Sequence, residues 1–145
     1  MESVAHEILS LIASAAKELI QISEETASVR PAPGKWSKKE ILGHLIDSAS
    51  NNHQRFVRLQ LSERVELPGY SQDDWVRVQR YQDQPWQQII GLWAVYNSQL
   101  AQVIGFVDPK SLGNVWRKPD GTEFTLEFII RDYVTHMRHH LKQLL

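Results

Sequence analysis

Trp36-Ser37-Lys38-Lys39-Glu40-Ile41-Leu42-Gly43-His44-Leu45-Ile46-Asp47-Ser48 opens a helix with complete punctuation. The Ser37 hydroxyl can cap the orphan amides of the first turn, and Glu40, three residues on, completes a capping box. Trp36 and Ile41 flank it at the positions of a hydrophobic staple. Ile41, Leu45, Ala49, Phe56 and Leu59 then carry an apolar stripe to about Ser62. His44 lies one turn past the anchored start, with Asp47, Ser48 and Asn51 on its own face and Arg55 further along. A polar stripe beside an apolar one predicts a face that looks into a wet cleft or out to solvent.

The same reading extends to both sides. A first helix is predicted from about Ser3 to Ser23, because Val4, Ile8, Leu11, Ile12, Ala15, Leu19 and Ile22 keep three-and-four spacing. Arg30-Pro31-Ala32-Pro33-Gly34 stops it. Beyond the second helix, residues 63–84 form a connection too long to be structureless. Ser71-Gln72-Asp73-Asp74 looks like another cap, which predicts a short helix over Asp73 to Arg80 and a crossover over one end of the bundle. Pro85 opens a third helix, with Trp86, Ile89, Ile90, Trp93, Tyr96, Leu100, Val103 and Ile104 on its apolar face, ending near Gly105. Val115 to Lys118, Pro119-Asp120-Gly121 and Thr122 to Phe124 read as a small hairpin. Thr125 caps a last helix striped by Leu126, Ile130, Val134, Met137 and Leu141, with Phe124 and Ile129 in staple positions. These elements predict an all-α four-helix bundle over 1–145 as one domain, with a long crossover between helices 2 and 3 and a small hairpin before helix 4.

Composition narrows the function. Lys and Arg number 16 and Asp and Glu 17, for a net charge of -1. That balance argues against nucleic acid as a partner, since phosphate binding needs a cationic surplus. No apolar run approaches the roughly 18 to 20 residues of a membrane span. Met1 to His6 lacks a basic leader, so no signal peptide is expected. The chain has no cysteine, so it offers no disulfide, no thiolate ligand and no Cys nucleophile. The expected location is the cytoplasm.

Three of the six histidines fall in Thr135-His136-Met137-Arg138-His139-His140. Residues i and i+4 of a helix stand one above the other, about 6 Å apart along the axis, so His136 and His140 can aim two imidazoles at one point. His139 is rotated by roughly 100° from His140 and belongs on the surface, or in support of the site. His44 is the best third ligand, because bundles build metal sites from facing helices; the alternative from the residues alone is a solvated pair at 136 and 140 and a hydrogen-bonded or surface His44. His6 and His53 have no partner by spacing.

The order Trp-Ser-x-x-Glu-x-x-x-His at 36–44, then His-x-x-x-His at 136–140, resembles the DinB-like superfamily, and within it the bacillithiol-transferase-like branch of metal-dependent hydrolases. Pro68-Gly69-Tyr70, Asp74-Trp75, the Pro119-Asp120-Gly121 lip and Thr125-Leu126-Glu127 extend the resemblance along nearly the whole chain. It implies a four-helix bundle and one divalent metal on His44, His136 and His140. It also implies a homodimer and, in some members, transfer of a low-molecular-weight thiol to an electrophile. Zinc or nickel is the expected ion, with iron or manganese as alternatives. A dication acidifies the water or thiol that it binds, so the expected reaction is metal-dependent thiol S-transfer or hydrolysis on a small-molecule substrate. Asp47, one turn from His44, is the candidate catalytic residue: it could take a proton, orient water or hold a histidine tautomer, against the alternative of a solvated surface carboxylate. Arg55, Arg58 and Arg138 could meet an anionic cosubstrate, but a surface role is the main expectation for each. The rival reading is a non-catalytic binding or dimerisation module with a structural metal or none.

Overall fold

A computed structural model describes residues 1–145. Four long helices form the bundle: α1 (Glu2–Leu19), α3 (Lys38–Leu61), α5 (Trp86–Gly105) and α6 (Leu126–Leu144). Two short helices, α2 (Glu24–Ser28) and α4 (Gln72–Gln79), decorate it. The strands β1 (Arg64–Glu66), β2 (Val115–Arg117) and β3 (Glu123–Thr125) close the far end. The apolar stripes meet in one core, with Ile8, Leu19, Leu42, Phe56, Leu59, Trp86, Trp93, Leu100, Leu126 and Ile130 sealed from solvent.

The start of α3 follows its sequence. Ser37 Oγ accepts from the Glu40 amide at 3.2 Å, and Glu40 Oε2 accepts from the Ser37 amide at 2.9 Å, which completes the capping box. Arg30 donates through Nε to the same carboxylate at 2.9 Å. The Ser37 hydroxyl, fully buried, also donates to Gln82 Oε1 at 2.6 Å. Two residues on, the buried Lys39 ammonium pairs with Glu24, whose other oxygen accepts from the Trp86 amide at 2.7 Å. The N-termini of α3 and α5 are thereby tied side by side, so these two helices run parallel. α1 is antiparallel to α5, its terminal Leu19 carbonyl accepting from the Trp86 indole at 3.0 Å. α6 is antiparallel to α3, with Lys38 Nζ bonded to the Leu144 carbonyl.

A parallel neighbouring pair requires a connection as long as the helix, about 36 Å for a helix of this size. The 62–85 segment therefore runs back along α3, where α4 packs, rather than over one end of the bundle. Two further boundaries differ from the sequence reading. The first helix stops at Leu19, before Ser23, because the Ser23 hydroxyl caps a new helix by accepting from the Thr26 amide at 3.1 Å. β1 was not anticipated: it pairs parallel with β2, which pairs antiparallel with β3, so the expected hairpin is part of a three-stranded sheet. Three residues with one half-buried side chain carry no period from which to read a strand. At the start of α6, Thr125 caps as expected, and Phe124 stacks on Phe128 with centroids 5.2 Å apart.

Substituting Ser37→Ala is expected to lower the unfolding free energy by about 1–2 kcal/mol, read by urea denaturation, since the cap and its bond to Gln82 go together. The Glu40 carboxyl is held below its ordinary pKa, first by its hydrogen bonds from Arg30 and then by Ser37, against the opposing effect of burial. Its folded pKa is thus depressed. Its contribution is present above the ordinary glutamate value of about 4.3 and is lost as pH falls through the folded value. Arg30→Ala should flatten that acid limb of the stability–pH curve.

Candidate metal centre

α3 and α6 cross antiparallel at the capped end of the bundle, and this brings the three predicted histidines together. One ring nitrogen from each of His44, His136 and His140 lies within 4.8 Å of the others. His44 Nε2 and His136 Nε2 are 3.0 Å apart. Nitrogen-to-metal bonds of about 2.0–2.1 Å place two ligands of one ion roughly 3 Å from each other, so this donor set fits a divalent cation. The rings stand edge to face, with centroids 5.0 Å apart for His44 and His136, 4.8 Å for His44 and His140, and 4.6 Å for His136 and His140.

The electrostatics favour the ligand form of each ring. Burial, then the neighbouring His136 and His140, pushes the His44 pKa down to about 3. Burial, then His140 and His139, brings His136 to about 4. Burial also lowers His140, with Gln143 opposing and His139 adding to the fall. At neutral pH all three are uncharged imidazoles with a lone pair to offer. Gln143 Oε1 lies 2.9 Å from His140 Nδ1, which assigns the proton to that nitrogen and leaves the lone pair on Nε2. The Gln143 amide nitrogen is 3.1 Å from Nε2 of His139, which is exposed and outside the cluster, as its rotation on the helix required.

Most of the polar face of α3 is covered. His44, Asp47, Ser48, Asn52 and Arg55 are all buried. The surface alternative for Asp47 is overturned, because the returning connection covers it: the Tyr81 hydroxyl donates to Asp47 Oδ1 at 2.7 Å, and the Gln79 amide bonds the same oxygen. Asp47 Oδ2 and His44 Nδ1 are both buried and both lack a partner. Burial raises the Asp47 pKa to about 6, while Tyr81 and Gln79 pull against the rise. The surface expectation also fails for Arg55, whose guanidinium stacks 3.7 Å from the centre of the Trp116 ring. It holds for Arg58, and Arg138 pairs with Glu7 on α1. His53 has a partner that spacing could not show, Tyr96 Oη on α5 at 3.1 Å.

Gly43 makes the Tyr81 contact possible. A Cβ at that position would collide with the Tyr81 ring, so only glycine lets the connection press flat against α3. Trp36 lies over the cluster from the other side, its ring 5.2 Å from that of His44. It also lines a cavity of about 450 Å³ beside His140, together with Lys35, Ile41, Asp73 and Gln143. Tyr81, Gln79 and Gln143 escaped the sequence reading. Gln143 had a local signal in its i+3 spacing from His140; the other two touch the site only through tertiary contact.

The DinB superfamily matches residues 7–144 of the chain. A protein of Oceanobacillus iheyensis named "Putative metal-dependent hydrolase" is 21% identical over 126 residues, which cover 85% of this chain and 71% of that protein. YfiT from Bacillus subtilis, described as "a probable metal-dependent hydrolase with an unusual four-helix bundle topology", superposes with a TM-score of 0.79. That superposition covers 99% of this chain and 83% of YfiT at 18% identity, a likeness of fold.

Gly43→Ala should displace Tyr81 from Asp47. Overpacking costs about 1–3 kcal/mol against a helix-propensity gain of about 1 kcal/mol, so a net loss of roughly 1 kcal/mol is expected on denaturation. The change should also be visible in the near-ultraviolet circular dichroism of the tyrosines.

Proposed function

The chain belongs to the DinB superfamily, and on that premise we propose that it is a metal-dependent enzyme that hydrolyses a small molecule or transfers a thiol to it. The supporting observation is the meeting of three neutral imidazoles, from two antiparallel helices, beside a cavity large enough for a small substrate. No carboxylate joins the three nitrogens within the 4.8 Å cluster. A structural ion would normally be closed by a fourth protein ligand, so the donor set favours an open, catalytic site over a purely structural one.

A dication on His44, His136 and His140 supplies a Lewis acid that acidifies a bound water or thiol. Zinc or nickel is the proposed ion, since imidazole suits both. The chain has no cysteine, so a thiol nucleophile would come from a cosubstrate. Asp47 is the proposed proton acceptor. Its Oδ1 is held by Tyr81 and Gln79, which leaves Oδ2 free to take a proton, and its pKa of about 6 lies near the working range of a general base. Burial raises the Tyr81 phenol above its ordinary value, and its bond to Asp47 adds to this, so Tyr81 stays protonated and donates. Gln143 fixes the His140 tautomer. Trp36 lies against His44 and forms part of the cavity wall. The same proposal has the enzyme acting in the cytoplasm as a homodimer, which sedimentation equilibrium checks.

The first test is elemental mass spectrometry on untagged protein. Wild type should carry about one divalent ion per chain, and His44→Ala and His140→Ala should lose it while keeping their helical circular dichroism. Full metal in both variants would remove these histidines from the site. Metal-loaded protein should then consume an activated ester or an electrophile–thiol pair, and Asp47→Asn should lower the rate by roughly 10²–10⁴-fold at unchanged metal content.

A further inference from the structure

A buried arginine farther along the polar face of α3 has no counter-ion. Arg55 lies eleven residues beyond His44 and only about 20° around the helix from it, on the same face. Its side chain turns back toward the start of α3, with Nη1 donating to Asn52 Oδ1 at 3.0 Å. This puts the guanidinium near the level of Asn52, roughly 12 Å along the axis from His44. Between them run Asp47 and Ser48, both buried, and Asn51, which is half-buried.

A guanidinium has five N–H donors and does not lose its charge at neutral pH. Here one donor is bonded to Asn52, and the flat face rests on Trp116. No carboxylate forms an ion pair with it. The wholly buried side-chain atoms without a hydrogen bond belong to His44, Asp47 and Trp93, and to Glu7, which meets Arg138 instead; none belongs to Arg55. The free edge of the Arg55 fork is therefore not sealed in, although the residue is only 7% exposed. An arginine held flat by an aromatic ring, with its donor edge open, presents the planar fork that carboxylates and phosphates accept. Tyr70 is close to the same stripe: burial first raises its pKa, Asp47 adds to that, and Arg55 and Ser48 oppose it. Asp47 is the acidic group on this face. It lies two turns away, with its Oδ1 already held by Tyr81 and Gln79, so it does not neutralise Arg55.

We infer that Arg55, set on Trp116 and flanked by Asn52 and Tyr70, is an oxyanion-binding subsite. It would bind the carboxylate or phosphate of a small anionic molecule, independently of the histidine cluster.

The test uses metal-free full-length protein labelled with [15N]tryptophan, so that it does not depend on metal. Inorganic phosphate and succinate are titrated separately while the five indole N–H signals are followed. The Trp116 signal should shift saturably with at least one anion, whereas Trp93, buried elsewhere in the core, should not. Arg55→Lys should weaken the affinity by about tenfold, because a point charge replaces the fork, and Arg55→Met should abolish the shift. The stronger of the two anions identifies the headgroup as phosphate or carboxylate. No saturable shift at Trp116, an equal shift at Trp93, or an unchanged affinity in Arg55→Lys would overturn the inference, even if Arg55→Met fails to fold. Metal bound by the histidines without any anion response would sink the subsite and leave the enzyme reading intact. An anion response in a protein that takes no metal would do the reverse.

Discussion

The reciprocal hydrogen bonds between Ser37 and Glu40 set the position from which the rest of the site is measured. A helix start leaves amides without partners, and a buried start cannot leave them to water. Here the start is buried: Ser37 is inaccessible and Glu40 nearly so. The cap is shared with the rest of the fold, because Arg30 binds its carboxylate and Gln82 its hydroxyl. Displacing that turn would move His44, seven residues on, relative to α6, and imidazoles that are to share one ion, as proposed, tolerate little displacement.

The second constraint is the parallel pairing of α3 and α5. It forces the connection to return along the bundle, and the return carries Gln79 and Tyr81 onto Asp47. Gly43 permits the close approach. A carboxyl that the pattern of α3 would leave in water is thereby dried, and burial alone raises its pKa into the range useful for proton transfer. Burial also lowers the pKa values of His44 and His136, again mainly by desolvation.

That face also costs stability. A stripe of His44, Asp47, Ser48, Asn52 and Arg55 displaces apolar contacts from the centre of the bundle, and two of its atoms have no partner. Buried polar groups without partners are uncommon, and they concentrate where a protein uses them. The core around the stripe is conventional: Trp86 and Trp93, Phe56 against Tyr133, and leucines from each long helix. At 18% identity to YfiT the bundle is retained, which is expected when volume and patterning, rather than individual side chains, decide a core.

The sequence by itself determined the four long helices, the caps at Ser37 and Thr125, the turn before β3 and the geometry that allows His136 and His140 to share a ligand. Each of these is written in local periodicity or in residues three or four apart, where the physics is short-ranged. The choice of His44 was legible through its place after the cap and through the resemblance. What the tertiary structure decided was the surroundings: that Asp47 and Arg55 are buried, that Tyr81, Gln79 and Trp116 cover them, and that β1 joins the hairpin. A polar stripe on an amphipathic helix has the same pattern whether it faces water or another segment. Only the path of the chain between α3 and α5 chooses between them, and that path follows from the packing of elements far apart in sequence.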